Sequence, residues 1–173
     1  MKIVLLLRHA KSAWGTPGLP DHERPLNRRG EHAARVMAQY IADRCPRPDL
    51  ILCSTAVRTR RTLAPLLKQF EPPAPPIALE KDLYLAPESA LLGRLQALPD
   101  SVGTALLIGH NDGIGQLAAA LVGSGPAEQV QALRDKFPTA ALAVLRAPAE
   151  HWPDLESGSA NLLAFVRPRD LGD

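Results

Sequence analysis

Met1-Lys2-Ile3-Val4-Leu5-Leu6-Leu7-Arg8-His9-Ala10-Lys11-Ser12 opens the chain and decides how the rest is read. From Ile3 to Leu7 the run is apolar and free of Gly and Pro, which predicts a short strand buried on both faces, as in the parallel sheets of α/β folds. It ends abruptly in Arg8-His9. Open parallel sheets bind ligands just beyond the carboxyl ends of their strands, so this pair is poised for an anion. Arginine brings a planar fork of donors, and histidine is a nucleophile or a proton carrier. Taken alone the dipeptide is weak, because a surface Arg and a loop His can follow any core strand.

The pattern recurs along the chain. Leu50-Ile51-Leu52-Cys53 reads as a second buried strand ending at Ser54-Thr55-Ala56, where Ser54 and Thr55 are natural caps for a helix carrying Val57, Thr62, Leu63, Leu66 and Leu67. That helix holds Arg58, Arg60 and Arg61 in its first turns; positions 58 and 61 neighbour each other while 60 points away, so at most two reach one site. Its unpaired amides and dipole also favour an anion. Thr104-Ala105-Leu106-Leu107-Ile108 is a further strand, and it ends at Gly109-His110-Asn111-Asp112-Gly113.

Between these strands, Gly15 to Leu26 is a loop broken by Pro and Gly, and Asn27 caps a helix from about Arg28 that ends before Pro46. Phe70 to Pro76 is a proline-rich connector, and Ile77-Ala78-Leu79 suits a short edge strand. Pro87-Glu88 starts a helix running to Leu98, and Ile114 to Val122 forms another, followed by a polar helical stretch to Lys136. Ala140 to Leu145 and Ala160 to Val166 alternate as an antiparallel hairpin. The order β-α-β-α-β-α-β-α-(α)-β-β predicts a three-layer α/β/α sandwich, its sheet mainly parallel with an antiparallel C-terminal strand. At 173 residues one domain over 1–173 is expected.

Composition narrows the function. A net charge of +2 and 4% aromatic residues give no general case for nucleic acid, and no apolar run approaches the roughly 20 residues that cross a bilayer. No signal-peptide pattern precedes the first strand, so a cytoplasmic protein without membrane association is expected. Cys45 and Cys53 lack metal-ligand or disulfide spacing; Cys53 reads as a core thiol. Right-handed crossovers bring the strand ends bearing Arg8-His9, Ser54 with Arg58, and His110 to one edge. Two histidines and two arginines there make a cationic pocket suited to a phosphoryl group and ill suited to a divalent metal, so no metal or cofactor is expected.

Four ordered motifs, Arg8-His9, Arg24-Pro25-Leu26-Asn27-Arg28-Arg29-Gly30, Ser54 through Thr62, and Gly109-His110-Asn111, resemble the histidine phosphatase superfamily, most closely its compact SixA-type phosphohistidine phosphatases. The resemblance covers residues 1 to about 123 well, and Phe137-Pro138-Thr139-Ala140-Ala141 with the closing strands more loosely. It implies a phosphoglycerate mutase-like fold, with His9 as the nucleophile that becomes transiently phosphorylated. Arg8, Arg58 and His110 would hold the phosphoryl oxygens, and Ser12 stands where the family often has a hydroxyl near the phosphate. Ala10 departs from the superfamily's usual Gly, and its methyl restricts positive φ, although SixA-like sequences often share it. The superfamily commonly places its proton donor after the third strand. Glu88 is the nearest positional match, with Asp21 and Asp112 competing and a helix-capping role for Glu88 equally open.

The chemistry expected is in-line attack by a neutral His9 nitrogen, with guanidinium groups and a protonated second imidazole neutralising the oxygens, followed by hydrolysis of phospho-His9. The other His9 nitrogen should then donate to a backbone carbonyl. The leading reading is a metal-independent phosphatase acting on phosphohistidine in a protein, such as a histidine-containing phosphotransfer domain. Beside it stand a phosphatase or mutase of small phosphate esters and a non-catalytic phosphate-binding module. Trp14 either walls the site or packs its loop, Arg24 anchors its loop through a carboxylate, and Arg60 and Arg61 are solvated or paired with surface acids.

Overall fold

The structure, a computed structural model, describes residues 1–172. The opening run forms β1 (Lys2–Arg8), and Asn27 caps α1 (Arg28–Arg44) by accepting the Gly30 N–H at 2.8 Å. There follow β2 (Leu50–Ser54), α2 (Val57–Leu67), β3 (Ile77–Glu80), α3 (Glu88–Gln96), β4 (Thr104–Gly109) and α4 (Gly113–Leu121). The chain closes with β5 (Val122–Ser124), α5 (Ala127–Asp135), β6 (Leu142–Ala147) and β7 (Ala160–Val166).

The strands form one sheet in the order β3-β2-β4-β1-β6-β7-β5. β1 pairs in parallel with β4, which pairs in parallel with β2, so these three carboxyl ends share one edge. β6 runs antiparallel to both β1 and β7, so the reversed member is the penultimate strand and β7 returns to the common direction. The expected edge strand at Ile77 is β3. The helix expected through Val122 stops one residue earlier, because Val122 turns extended and pairs with Ala160 of β7 as β5.

Alternation along the strands fills two apolar layers. Leu5, Leu7, Ile51, Cys53, Leu106 and Ile108 face α1 and α2, where Met37, Ile41, Leu63 and Leu66 complete one core. Val4, Leu6, Leu52 and Leu107 face the other way, onto Leu91, Leu95, Ile114, Leu117 and Leu133. Burial of each such side chain contributes about 1.5–3 kcal/mol. Both faces being covered, β1 can carry its charged end only where the sheet stops.

Two glycines let helices reach that edge. A Cβ on Gly30 would lie 2.0 Å from the Lys11 carbonyl oxygen, and one on Gly113 would lie 2.0 Å from that of Ala86. The first turns of α1 and α4 thus press against the loops after β1 and before α3.

Candidate active site

Beyond the ends of β1, β2 and β4 lies a pocket of about 320 Å³ lined by Arg8, His9, Ser12, Arg58 and His110, together with Lys11, Trp14, Arg24, Leu85, Asn111 and Thr139. Five residues from three distant segments meet as the strand ends require. His9 is only 7% exposed and Arg58 4%, so their polar groups operate away from bulk water.

His9 is held on both sides. Its backbone N–H donates to Gly109 O at 3.0 Å, and its carbonyl accepts the Ala140 N–H at 3.0 Å. Nδ1 lies 2.7 Å from Ala10 O. A carbonyl only accepts, so Nδ1 carries the proton and Nε2 keeps its lone pair. Burial, with nearby Arg58, Arg8 and Arg24 adding to it against the Ala10 bond, lowers the His9 pKa to about 4 and keeps the ring neutral at physiological pH. Ala10 itself avoids the left-handed region, and its methyl sits fully buried in the core. Left-handed instead are Leu85, at φ 52°, and Ala140, at φ 61°, and the Ala140 N–H grips His9.

The loop is tied to α2 through Thr62, whose Oγ1 accepts the Ala10 N–H at 2.9 Å and donates to Arg58 O at 2.7 Å. Thr62 reads in sequence as a helix packing position; its bond to the loop after β1 is a tertiary event that no local pattern signals. Arg58 reaches the pocket while Arg61 faces the outer groove toward α1 and Arg60 bonds Thr55 O at 3.0 Å. Only one of the three arginines serves the site.

Asp21 gathers the guanidiniums. Its Oδ2 accepts from Arg58 Nη2 at 2.9 Å and from the Tyr84 hydroxyl, its Oδ1 from Arg24 Nη1 at 2.8 Å, and its carbonyl from Arg58 Nη1 at 2.8 Å. The Tyr84 hydrogen bond above all, then those from Arg24 and Arg58, holds the Asp21 carboxyl well below the usual carboxylate range. Arg24 anchors its loop as expected, but it also enters the pocket wall, donating to Ser12 Oγ and to Ala13 O at 3.1 Å. Trp14 stands over the Arg24 guanidinium at 3.3 Å and walls the site while remaining 80% exposed.

The caps expected at Ser54 and Thr55 are otherwise engaged. α2 starts after Ala56 without a side-chain cap; Ser54 Oγ lies 2.8 Å from His110 Nε2, and Thr55 Oγ1 lies 2.8 Å from His22 Nε2. His110 sits with its ring centroid 5.3 Å from that of His9 and at the same distance, edge-on, from Tyr84. Desolvation, then the neighbouring His9 and Arg58, lowers its pKa to about 3, so the protonated imidazole expected here is neutral in the unliganded site. His110 Nδ1 and Arg8 Nε are buried with no hydrogen-bond partner, whereas Arg8 Nη1 donates to Phe137 O at 3.1 Å.

Glu88 is not brought to this group: it occupies the first turn of α3 and is absent from the pocket lining. Asp112 lies in a neighbouring pocket and acts on Arg8 as a nearby negative charge. Among the described residues lining the pocket none is a carboxylic acid, and no group of three His, Cys, Asp or Glu is placed to hold a metal ion. No described helix is long and apolar enough to cross a membrane.

The chain is similar to known proteins. Residues 4–84 match the model of the histidine phosphatase superfamily (branch 1). An uncharacterized protein of Mycobacterium tuberculosis is 38% identical over 165 residues, which cover 94% of this chain and all of that protein. The solved structure of a candidate phosphohistidine phosphatase SixA from Agrobacterium tumefaciens is 35% identical, with a TM-score of 0.81 over 96% of this chain and 98% of that one. A counterpart from Nakamurella multipartitia is 28% identical, with a TM-score of 0.82 over 96% of each chain. With its Arg8-His9 strand end, its paired histidines and this likeness along nearly its whole length, the chain belongs to the histidine phosphatase superfamily and within it is SixA-like.

Proposed function

We propose that the protein is a metal-independent phosphohistidine phosphatase in which His9 is the nucleophile, Arg8, Arg58, Ser12 and His110 bind the phosphoryl group, and Arg24 joins them. The observation that carries the reading is the His9 Nδ1 bond to Ala10 O, because it leaves a neutral Nε2 lone pair inside a pocket walled by Arg8, Lys11, Arg24 and Arg58. The unpartnered buried Arg8 Nε–H, and His110 Nδ1 when it carries a proton, support an oxyanion acceptor there. In the first step the Nε2–P bond forms as the substrate's P–N bond breaks, and a substrate ring that arrives protonated on its other nitrogen departs as neutral imidazole. A water oxygen then attacks phosphorus, the Nε2–P bond breaks, and inorganic phosphate leaves. The dianion's charge raises the His110 pKa when it binds, so the ring can take up a proton at that stage.

The choice of phosphohistidine over an ester rests on the lining. An alkoxide leaving group needs a placed acid, whereas an imidazole protonated on its other nitrogen does not. Glu88 and Asp112 lie outside the pocket wall, and Asp21 is held as a carboxylate by three donors. Steady-state rates on a phosphorylated histidine-containing phosphotransfer domain, beside sugar and glycerate phosphates, test this. Faster turnover of the phosphoprotein supports it, and preference for an alkyl phosphate overturns it.

A further inference from the structure

A second, smaller cavity of about 180 Å³ adjoins the first, and the two share Lys11 and Thr139 as a common wall. Its remaining lining includes Arg29 from α1 and Arg167 and Arg169 from the turn after β7. Four cations from three separated segments therefore line a cavity with room for a carboxylate or phosphate. Arg167 is steadied by Asp170, which accepts from its Nε and Nη2 at 3.0 Å each. Asp170 also feels Arg169. Among the described residues it is the one acid touching the group, and the Lys11 and Arg29 side chains make no hydrogen bond or ion pair with other described residues. Gathering like charges is costly unless an anion joins them.

Trp14 is 80% exposed and Leu85 is 53% exposed, and both line the phosphate pocket. Large apolar groups left uncovered beside a site favour a macromolecular partner, since a small phosphate would leave them bare. Charge complementarity then selects the partner's chemistry.

We propose that the Lys11–Arg29–Arg167–Arg169 pocket is a docking site for acidic side chains of a protein substrate, seating a carboxylate-rich surface beside the phosphohistidine while Trp14 and Leu85 pack its apolar part. This rests on the phosphohistidine phosphatase reading and adds the class of protein recognised. Neither Arg29 nor Arg169 belongs to the phosphate pocket, so docking and chemistry can be separated.

The test uses the full chain with two phosphohistidine peptides of equal length, one flanked by glutamates and one by glutamines, with nitrophenyl phosphate as a substrate that cannot dock. The wild type should favour the glutamate peptide by about 10-fold in kcat/KM at low salt, a preference that shrinks as salt rises. The double variant Arg29→Ala/Arg169→Ala should lose the preference and keep its nitrophenyl phosphate turnover. Binding of the unphosphorylated peptides, followed by tryptophan fluorescence, should show the same order. Equal kcat/KM for the two peptides, or a preference that survives the double variant, overturns the proposal. So does tighter use of a bisphosphorylated small molecule that depends on Arg29 and Arg169, which would reassign the pocket to a second phosphate. Salt-sensitive binding of the glutamate peptide without turnover of any substrate would uphold the docking site and reject the phosphatase reading.

Discussion

The protein has two grooves of opposite character. The larger, about 520 Å³, runs between α1 and α2 and is edged by Glu31, Arg35, Gln39, Arg61, Lys68 and Gln69, all exposed. The smaller, about 320 Å³, holds His9, Ser12, Arg24, Arg58 and His110, all buried. In the first, charges of both signs stand in water and are screened. In the second, buried cations are fixed by hydrogen bonds, and Asp21, which pairs with Arg24 and Arg58, stands outside the pocket lining. Volume therefore misleads, and reactivity follows desolvated, oriented charge.

The contrast is broken most severely by removing the nucleophile. His9→Ala should lower turnover of any substrate by about 1,000-fold or more, with the fold retained by circular dichroism. Residual activity near wild type would move the chemistry out of this pocket. Arg58→Ala should cost roughly 1.5–3 kcal/mol in transition-state binding and relieve inhibition by phosphate, whereas Arg61→Ala, in the larger groove, should leave both unchanged. Equal losses from the two would mean that the grooves do not differ as argued.

Acidity sharpens the comparison further. Both pocket histidines have lowered pKa values, His9 about 4 and His110 about 3, while His151 on the surface is raised by its bond to Asp100. Imidazole NMR should show His151 titrating above 6.5 and the two pocket rings still neutral at pH 5.5 in the phosphate-free protein. The linkage has a definite sign: below pH 6.5 the unfolded chain protonates these histidines and the native one does not, so their contribution to stability falls as pH drops from 6.5 towards 4. Unchanged activity in a chelator is the next, smaller expectation; loss on chelation with recovery on zinc or manganese would contradict it. The smallest effect is expected of Glu88→Gln, which should change rates by under about 2-fold on phosphohistidine. A loss of about 100-fold confined to alkyl phosphates would restore Glu88 as the proton donor.

What the sequence disclosed was what local pattern carries. Apolar runs ending in Arg8-His9, Ser54 and His110 located the strands, and parallel order brought their ends to one edge. The Asn27 cap and the packing of α1 were equally local. Hidden were contacts between segments far apart in the chain. Asp21 lies in a loop yet organises Arg24, Arg58 and Tyr84, and Thr62 holds the Ala10 loop from a helix face that looked merely packed. Ser54 resembled a cap until His110 arrived from β4 to share its hydroxyl. Protonation was hidden for the same reason, since burial rather than residue type made His110 neutral.

The central claim is that His9 Nε2 takes the phosphoryl group. Brief incubation with a substrate radiolabelled in its phosphorus, followed by rapid quenching and peptide mapping, tests it most directly. The account predicts acid-labile, base-stable label on the peptide containing His9 in the wild type and none in His9→Ala. Label on another residue, or undiminished label in the variant, would contradict it.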